Sequence, residues 1–432
     1  MRCIYNILLN IFTDIICWLS RNHDSWLYKR MGRKIRLFID GQGTTLQEIY
    51  DCSLCNGLPT YWFHASSLGE YGIARPVILE MRKQQECNIL LTFFSSTGIE
   101  ALKDKGVERT GVDYVAYLPL DCKKNVKAFL DKVQPTKAIF IKSEYWLNYL
   151  DELQLRHIPT YLVSAYIKPS SVFFKWYGKI YREALQVYQN IFTQDTESQK
   201  LLEELGIMNS TVMGDPLYDN AIVNGNTPYK NEVIERFVAT ASEGVFIAGS
   251  IDTKHDLELT AALINNHPEH KFIIVPHEVD KTHVTKVMFA LKEKNILHSE
   301  CTEETDYSDI QTLIIDYVGD LAKIYRYGKL TYVGGGFTPL LHSVIEPSVY
   351  GLPVAFGPKI NRKAAPQLMI KHGIGTMVTS AKELDKWFCF LFNNDIALER
   401  IRKEAKQFVI ASSGKTEGVV KSILFSDEKR KK

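Results

Sequence analysis

Tyr61-Trp62-Phe63-His64-Ala65-Ser66-Ser67-Leu68-Gly69-Glu70 is the stretch from which the architecture can be read. An apolar β-type run gives way to small residues, and an acid follows where a helical pattern begins. The run reads as a buried strand, the small residues as a turn, and Glu70 as a first-turn helix residue. Open α/β sheets bind ligands beyond the carboxyl ends of their strands. A helix amino terminus favours a carboxylate in its charged form, and an ionised carboxylate in a cleft is a ready general base. Glu70 is therefore expected to be a base kept ionised by its helix terminus. The alternative is an ordinary first-turn Glu.

The same punctuation recurs on either side. Candidate strands are Thr60–His64, Asn88–Ser95, Tyr114–Leu120, Thr136–Glu144, Thr160–Tyr166, Asn190–Gln194 and Thr211–Gly214. They are continuous apolar runs and not alternating ones, so both faces should be covered, as in a parallel sheet. Residues 216–243 lose the pattern and carry turn signals, Asp215-Pro216 and Asn224-Gly225-Asn226-Thr227-Pro228. A second series follows: Gly244–Ser250, Lys271–Pro276, Thr312–Asp316, Leu330–Gly335 and Pro353–Phe356. The expected fold class is α/β, with two Rossmann-like parallel-sheet domains. The boundaries place an amino-terminal segment at 1–36, a first domain at 37–215, a linker at 216–243 and a second domain at 244–432. The helices at about 380–425 either close the second domain or cross back onto the first. Two such domains suit a two-substrate transferase, one substrate to each.

Composition agrees with this. The chain has 432 residues, 45% of them hydrophobic and 24% charged, which fits two domains of ordinary globular protein. A net charge of +2 argues against a nucleic-acid partner. The eight cysteines are scattered, and Cys52 and Cys55 form a lone C-x2-C without a second pair, read as a reduced loop pair in preference to a zinc site. Residues 3–19 are mostly apolar, with Asn6, Asn10 and Asp14 recurring every fourth position as one polar stripe. Arg21, Lys29, Arg30, Arg33, Lys34 and Arg36 follow. A short apolar helix with an acid in its middle and a basic flank suits the membrane interface better than a span. The alternative is an amphipathic helix packed on the protein's own surface.

In the second half, Gly334-Gly335-Gly336 ends an apolar strand, and His342, Ser343 and Glu346 follow. Glycines at a strand end let a ligand approach backbone N–H groups. A helix expected to begin near Leu341 would point its positive end at a phosphate, and Glu346 would accept ribose hydroxyls. Gly249-Ser250 and Pro276-His277 end two other strands and should line the same edge. His277 is a candidate phosphate or base contact, or a plain loop histidine. Asp320, in Gly319-Asp320-Leu321, is a candidate ligand residue or a simple N-cap. No Asp-x-Asp occurs, so no metal is expected.

These residues together resemble the Kdo transferases, the inner-membrane enzymes of lipopolysaccharide synthesis that move 3-deoxy-D-manno-octulosonic acid (Kdo) from CMP to the lipid A precursor. His64–Glu70 is similar to that family's most specific motif, and Ser143-Glu144-Tyr145-Trp146-Leu147-Asn148 to its acid-Trp-Asn motif. Ser164-Ala165, Gln194-Asp195-Thr196 and Gly214-Asp215 resemble further blocks. The resemblance implies a glycosyltransferase-B fold with a membrane-associated amino-terminal helix, at the cytoplasmic face of the bacterial inner membrane. It implies Glu70 as catalytic base and Glu144 as a support for the transition state. It implies CMP-Kdo bound by Gly249, Ser250, Pro276, His277, Gly319, Asp320, Leu321, His342, Ser343, Val344, Ile345 and Glu346. Ser67, Gly69, Lys168 and Lys175 would meet the acceptor, a lipid A precursor (lipid IVA). The implied reaction is inverting and metal-free, with no cofactor. The alternatives are another nucleotide-sugar enzyme of the same fold, using UDP-sugars as a transferase or epimerase, and a non-catalytic membrane-bound member. Three departures bear on this: Leu340-Leu341-His342-Ser343 stands where many members have Gly-Gly-His-Asn, His277 where Arg commonly follows the proline, and Leu217 where a cation is usual.

Overall fold

The computed structural model describes residues 2–51, 57–102, 105–360 and 363–425. The Cys52/Cys55 pair and the basic end Lys429-Arg430-Lys431-Lys432 lie outside the described residues. The chain forms two compact units, residues 1–220 with 414–432 and residues 221–413.

The first unit is built on seven parallel strands: β1 (Thr60–His64), β2 (Asn88–Phe93), β3 (Tyr114–Tyr117), β4 (Lys137–Ile141), β5 (Thr160–Ala165), β6 (Asn190–Thr193) and β7 (Ser210–Val212). Their order is β3-β2-β1-β4-β5-β6-β7. Both faces are covered, which explains the unbroken apolar runs. Along β1 the pleat sends Trp62 to a core with Phe129, Phe140 and Tyr149, and Tyr61 and Phe63 to one with Ile89, Ile139 and Ile423. Ile423 belongs to the last helix, Thr416–Phe425, whose two ends are both held. The Asp219 carboxylate accepts from the backbone N–H groups of Gly414 and Thr416 at its start. The buried Lys137 ammonium donates to the Ile423 carbonyl at 2.7 Å at its end. Negative charge at the amino end and positive at the carboxyl end complement the helix dipole.

The second unit repeats the plan with β8 (Val245–Ile251), β9 (Lys271–Pro276), β10 (Asn295–Leu297), β11 (Thr312–Ile314), β12 (Gly328–Val333), β13 (Val354–Phe356) and β14 (Gly375–Met377). The order is β10-β11-β9-β8-β12-β13-β14, again all parallel. β10 and β14 were not among the candidate strands. Both are three-residue edge strands, too short to carry a periodic signal.

Two sequence expectations change, and one open alternative is settled. Residues 216–243 are not an open linker, because helices Leu217–Asn226 and Glu232–Ala239 occupy them. Asp215-Pro216 precedes the first of them, Asn224-Gly225-Asn226 forms its last turn, and Thr227-Pro228 lies between the two. The helix expected near Leu341 begins at Ile345 and has only five residues. Of the two readings left open for the last helices, Asp395–Ser412 stays with the second unit and the final helix, Thr416–Phe425, crosses back to the first.

The amino-terminal helix Arg2–Arg21 is anchored by one face. Thr13, Ile16 and Leu19 are buried, Tyr5 donates to Asp121 Oδ2 at 2.5 Å, and Asn6 Oδ1 accepts from Asn148 Nδ2 at 2.8 Å. The expected polar stripe is therefore divided, with Asn6 turned inward while Asn10 and Asp14 are exposed. The outer face presents Ile4, Ile7, Leu8, Ile11, Ile15 and Trp18.

Candidate active site

In a doubly wound sheet the strand order reverses at one place, and ligands bind beyond the strand ends there. In the first unit that place is between β1 and β4, which pair directly. Glu70 follows β1, and Glu144 follows β4. They meet through Ser66, whose backbone N–H donates to Glu70 Oε2 and whose hydroxyl donates to Glu144 Oε1, both at 2.6 Å.

Local structure sets this up. After β1 the chain turns at Ala65 and Ser66, and Ser67 caps the helix Leu68–Gln84 by accepting from the Glu70 N–H. Glu70 reaches back to accept from the Ser66 N–H, one residue before the N-cap. Gly69 is exposed in the first turn. β4 ends at Ile141, three residues before the expected limit. Lys142 takes a left-handed φ of 71°, and the chain bends so that Glu144 points inward and is buried. Trp146 Nε1 also donates to Glu144. The fully buried His64 has Nδ1 held by the Thr92 carbonyl at 3.1 Å and Thr92 Oγ1 at 2.9 Å, which turns Nε2 toward Glu144 at 3.4 Å.

The two carboxyls differ in their electrostatics. Burial pushes Glu70 up to about 7, and the Glu144 charge adds to the rise, against Lys142 and the Ser66 N–H. For Glu144 burial also acts upward, but the facing His64 ring and the Ser66 and Trp146 donors outweigh it, and its carboxyl falls below the usual range. This corrects one expectation. The helix terminus does not hold Glu70 firmly ionised, because desolvation and a second carboxylate outweigh it. The result is one acid kept charged and a neighbour poised near neutrality, a pairing suited to proton transfer.

Ser164, Gln194 and Asp215, from three separate sequence blocks, converge at the carboxyl ends of β5, β6 and β7: Gln194 Nε2 donates to Ser164 Oγ and to Asp215 Oδ2, both at 2.9 Å. Leu217 packs close to Gly72 at the start of its helix. Lys168 lies over the Tyr166 ring at 4.9 Å, and Lys175 is exposed beside Trp176, which is 90% exposed.

In the second unit the order reverses between β8 and β12. Ser250 has a left-handed φ of 53°, a Cβ on Gly249 would lie 2.1 Å from the Tyr325 hydroxyl, and one on Gly334 would lie 2.1 Å from the Ser250 carbonyl. These glycines are needed for close approach of chain to chain. Asp256, fully buried and absent from the sequence candidates, fixes the glycine loop: it accepts from Tyr332 at 2.6 Å and from Gly335 N–H at 3.0 Å, and it closes a capping box with Thr253. His277 N–H donates to the Ile251 carbonyl at 2.9 Å, and the His277 and His342 rings lie 4.3 Å apart. Burial, then the neighbouring His277, pushes His342 down to about 4.

Ser343 sits beside Glu346, whose carboxyl is raised by burial. Val344 and Ile345 are buried framework at the short helix. Asp320 is not a side-chain N-cap as one reading had it; its carboxylate pairs with Lys323 at 3.1 Å and accepts from Tyr229 at 3.3 Å. Gly319 has φ 123°, and Leu321 lies near Gly249. Gly249, Ser250, Pro276, His277, His342 and Ser343 are thus brought to one edge of this sheet. Sequence reading missed Lys142, Asp252 and Asp256, which match no motif. The left-handed backbone at Lys142, one residue past β4, and at Ser164 and Ser250, each the next-to-last residue of its strand, is visible only in three dimensions.

Residues 30–220 match the sequence model of the family described as 3-deoxy-D-manno-octulosonic-acid transferase (kdotransferase). The chain is 26% identical over 338 residues to a 3-deoxy-D-manno-octulosonic acid transferase of Aquifex aeolicus, covering 77% of this chain and 86% of that protein. It is 24% identical over 335 residues to a bifunctional glycosyltransferase/methyltransferase of Fusobacterium nucleatum, covering 75% of this chain but only 51% of that longer protein. Among solved structures, UDP-GlcNAc 2-epimerase from Neisseria meningitidis bound to UDP-GlcNAc is similar in fold, with a TM-score of 0.57 at 13% identity over 82% of this chain and 99% of the other.

Proposed function

We propose that this chain is a glycosyltransferase of the 3-deoxy-D-manno-octulosonic-acid transferase family, whose sequence model matches residues 30–220, and that it transfers Kdo from CMP-Kdo to a lipid A precursor, with inversion and with Glu70 as general base. The observation that carries this is the Glu70–Ser66–Glu144 arrangement at the strand-order reversal of the first unit. Glu70 takes the proton of an acceptor hydroxyl. That oxygen bonds to the anomeric carbon as the bond from this carbon to the phosphate oxygen breaks, and CMP departs with the electron pair. The base step needs no metal. Glu144 acts through Ser66 and through its charge. Both of its oxygens already accept hydrogen bonds, so it serves to position Glu70 and raise its basicity.

The donor is assigned to the second unit, with Gly249, Ser250, Pro276, His277, His342, Ser343 and Glu346 around the nucleotide and Gly319, Asp320, Leu321, Val344 and Ile345 supporting them. The acceptor is assigned to the first unit, near Ser67 and Gly69, with Lys168 and Lys175 toward lipid phosphates. The outward apolar face of Arg2–Arg21, with Trp26, Leu27 and Trp176, would rest in the cytoplasmic face of the inner membrane.

The test is Glu70→Gln with CMP-Kdo and a tetra-acylated lipid A precursor, read by product mass spectrometry. Loss of product with CMP binding intact supports the assignment. Wild-type turnover removes it. Calorimetric saturation by UDP-GlcNAc in place of CMP would move the protein to the other nucleotide-sugar reading.

A further inference from the structure

On the helix Asp395–Ser412 the residues Glu399, Arg402, Lys403 and Lys406 share one face, being spaced i, i+3, i+4 and i+7. With Arg326, Gly328 and Tyr350 they line a cleft of about 390 Å³ in the second unit. Gly328 is the first residue of β12, so the cleft lies at the amino end of that strand. The glycine-lined donor edge begins at Gly334, roughly 20 Å further along the same strand. The two places are opposite ends of the sheet.

The cleft is built, and its charge is not neutralised. Arg326 is fixed by three backbone carbonyls: Nε donates to Lys323 at 3.1 Å, Nη1 to Tyr229 at 3.4 Å and Nη2 to Thr227 at 2.8 Å. The rings of Tyr229 and Tyr350 lie 5.5 and 5.6 Å from its guanidinium carbon. Carbonyls and rings orient this cation without cancelling it. Arg402 is half-buried. Its Nη1 pairs with Glu399 at 2.9 Å, while its Nε is buried without a hydrogen-bond partner. A buried donor left unpaired calls for an absent water or anion. Lys403 and Lys406 are exposed and have no acid within ion-pair distance among the described residues. Gly351, at φ 80°, lets the helix close on the turn below it, since a Cβ there would lie 2.9 Å from the Arg402 carbonyl. Four cations against the single acid Glu399 leave a net charge of three in one concavity. Low-dielectric walls of one sign focus such a field on an anion.

We propose that this cleft is a second anion site of the unit and takes a phosphomonoester or diphosphate. A dianion matches the uncompensated charge, and the planar forks of Arg326 and Arg402 suit phosphate oxygens. The volume admits a phosphate with a small body attached, of the size of a sugar or a glycerol. The phosphate belongs either to a soluble compound or to a lipid headgroup. The site does not depend on the roles given to Glu70 or to the donor edge.

The experiment titrates inorganic pyrophosphate into the full-length protein by calorimetry, with CMP in excess to occupy the donor edge. The variant Lys403→Gln/Lys406→Gln removes two exposed charges, and Lys382→Gln/Lys386→Gln removes two exposed charges from another helix of the same unit. Thermal melts check that both fold. The cleft variant should bind pyrophosphate at least tenfold more weakly, and the control variant as wild type does. The same proteins, each carrying Ile7→Gln, Ile11→Gln and Ile15→Gln to silence the amino-terminal helix, are then sedimented with phosphatidylcholine vesicles with and without phosphatidylglycerol. If the cleft substitutions alone weaken binding to the anionic vesicles, the phosphate is a headgroup. If they weaken pyrophosphate binding and leave vesicle binding unchanged, it belongs to a soluble compound. If they alter neither, or if the control variant loses as much, the site is overturned.

Discussion

Glu70 and Glu144 are joined through one residue, Ser66, which donates its backbone N–H to the first and its hydroxyl to the second, each at 2.6 Å. The geometry lets one carboxylate stay charged while burial, with that charge beside it, raises the other to about 7. Transfer should therefore follow the deprotonated form of Glu70: kcat/KM rises as pH climbs through about 7 and levels above it. Glu144→Gln removes a negative charge beside Glu70, so the rise should move to lower pH. An unmoved inflection would break the coupling.

Loss of the base itself should be severe. Glu70→Gln is expected to lower kcat by roughly 10²- to 10⁴-fold, with CMP affinity unchanged, since the nucleotide is assigned to the other unit. Single-turnover rates alongside CMP calorimetry separate the two quantities.

The same acid carries a stability cost with a defined sign. Its folded pKa is raised, so the native state holds its proton more tightly than the unfolded chain does. Stability is then lost as pH rises from the ordinary Glu range through about 7. Glu70→Gln should therefore stabilise the protein at pH 8, on the order of 1 kcal/mol after allowance for partial exposure, and change little at pH 4. Urea titrations at the two pH values check this.

Asp256 is the residue whose loss should most damage the donor edge. Its carboxylate takes hydrogen bonds from Tyr332, Gly335 and Thr253 in a fully buried position. Asp256→Ala leaves several buried donors unpaired and should cost about 3 kcal/mol of stability. In the folded fraction CMP should bind more weakly, because Gly335 is released.

Anchoring is separable from folding. Ile7, Ile11 and Ile15 are exposed on the amino-terminal helix, so replacing all three by Gln should leave the melting temperature within a few degrees. Co-sedimentation with anionic vesicles should fall markedly. Tyr5→Phe should do the reverse, loosening the helix by stripping a donor from buried Asp121 while sparing vesicle binding.

Much of the fold was legible because a parallel strand buried on both faces must be apolar along its whole length. Thr60–His64 and Lys271–Pro276 were bounded correctly for that reason, as was the turn that delivers Glu70. Two edge strands were invisible, since three residues make no period. The last helix could not be assigned, because what brings it to the first unit is the pair of contacts from Asp219 and Lys137, about 200 and 290 residues away in the chain.

The chain's own order of residues settled which segments are strands, where their carboxyl ends fall and which acids stand there, since burial and turn chemistry act over a few neighbours. Tertiary structure alone decided how those acids behave. The rise of the Glu70 carboxyl comes first from its burial and then from a carboxylate 74 positions later in the sequence, and the Asp252, His277 and His342 cluster exists only because three strand ends are hydrogen-bonded side by side. Charge acts through space, and no spacing along a sequence encodes that distance.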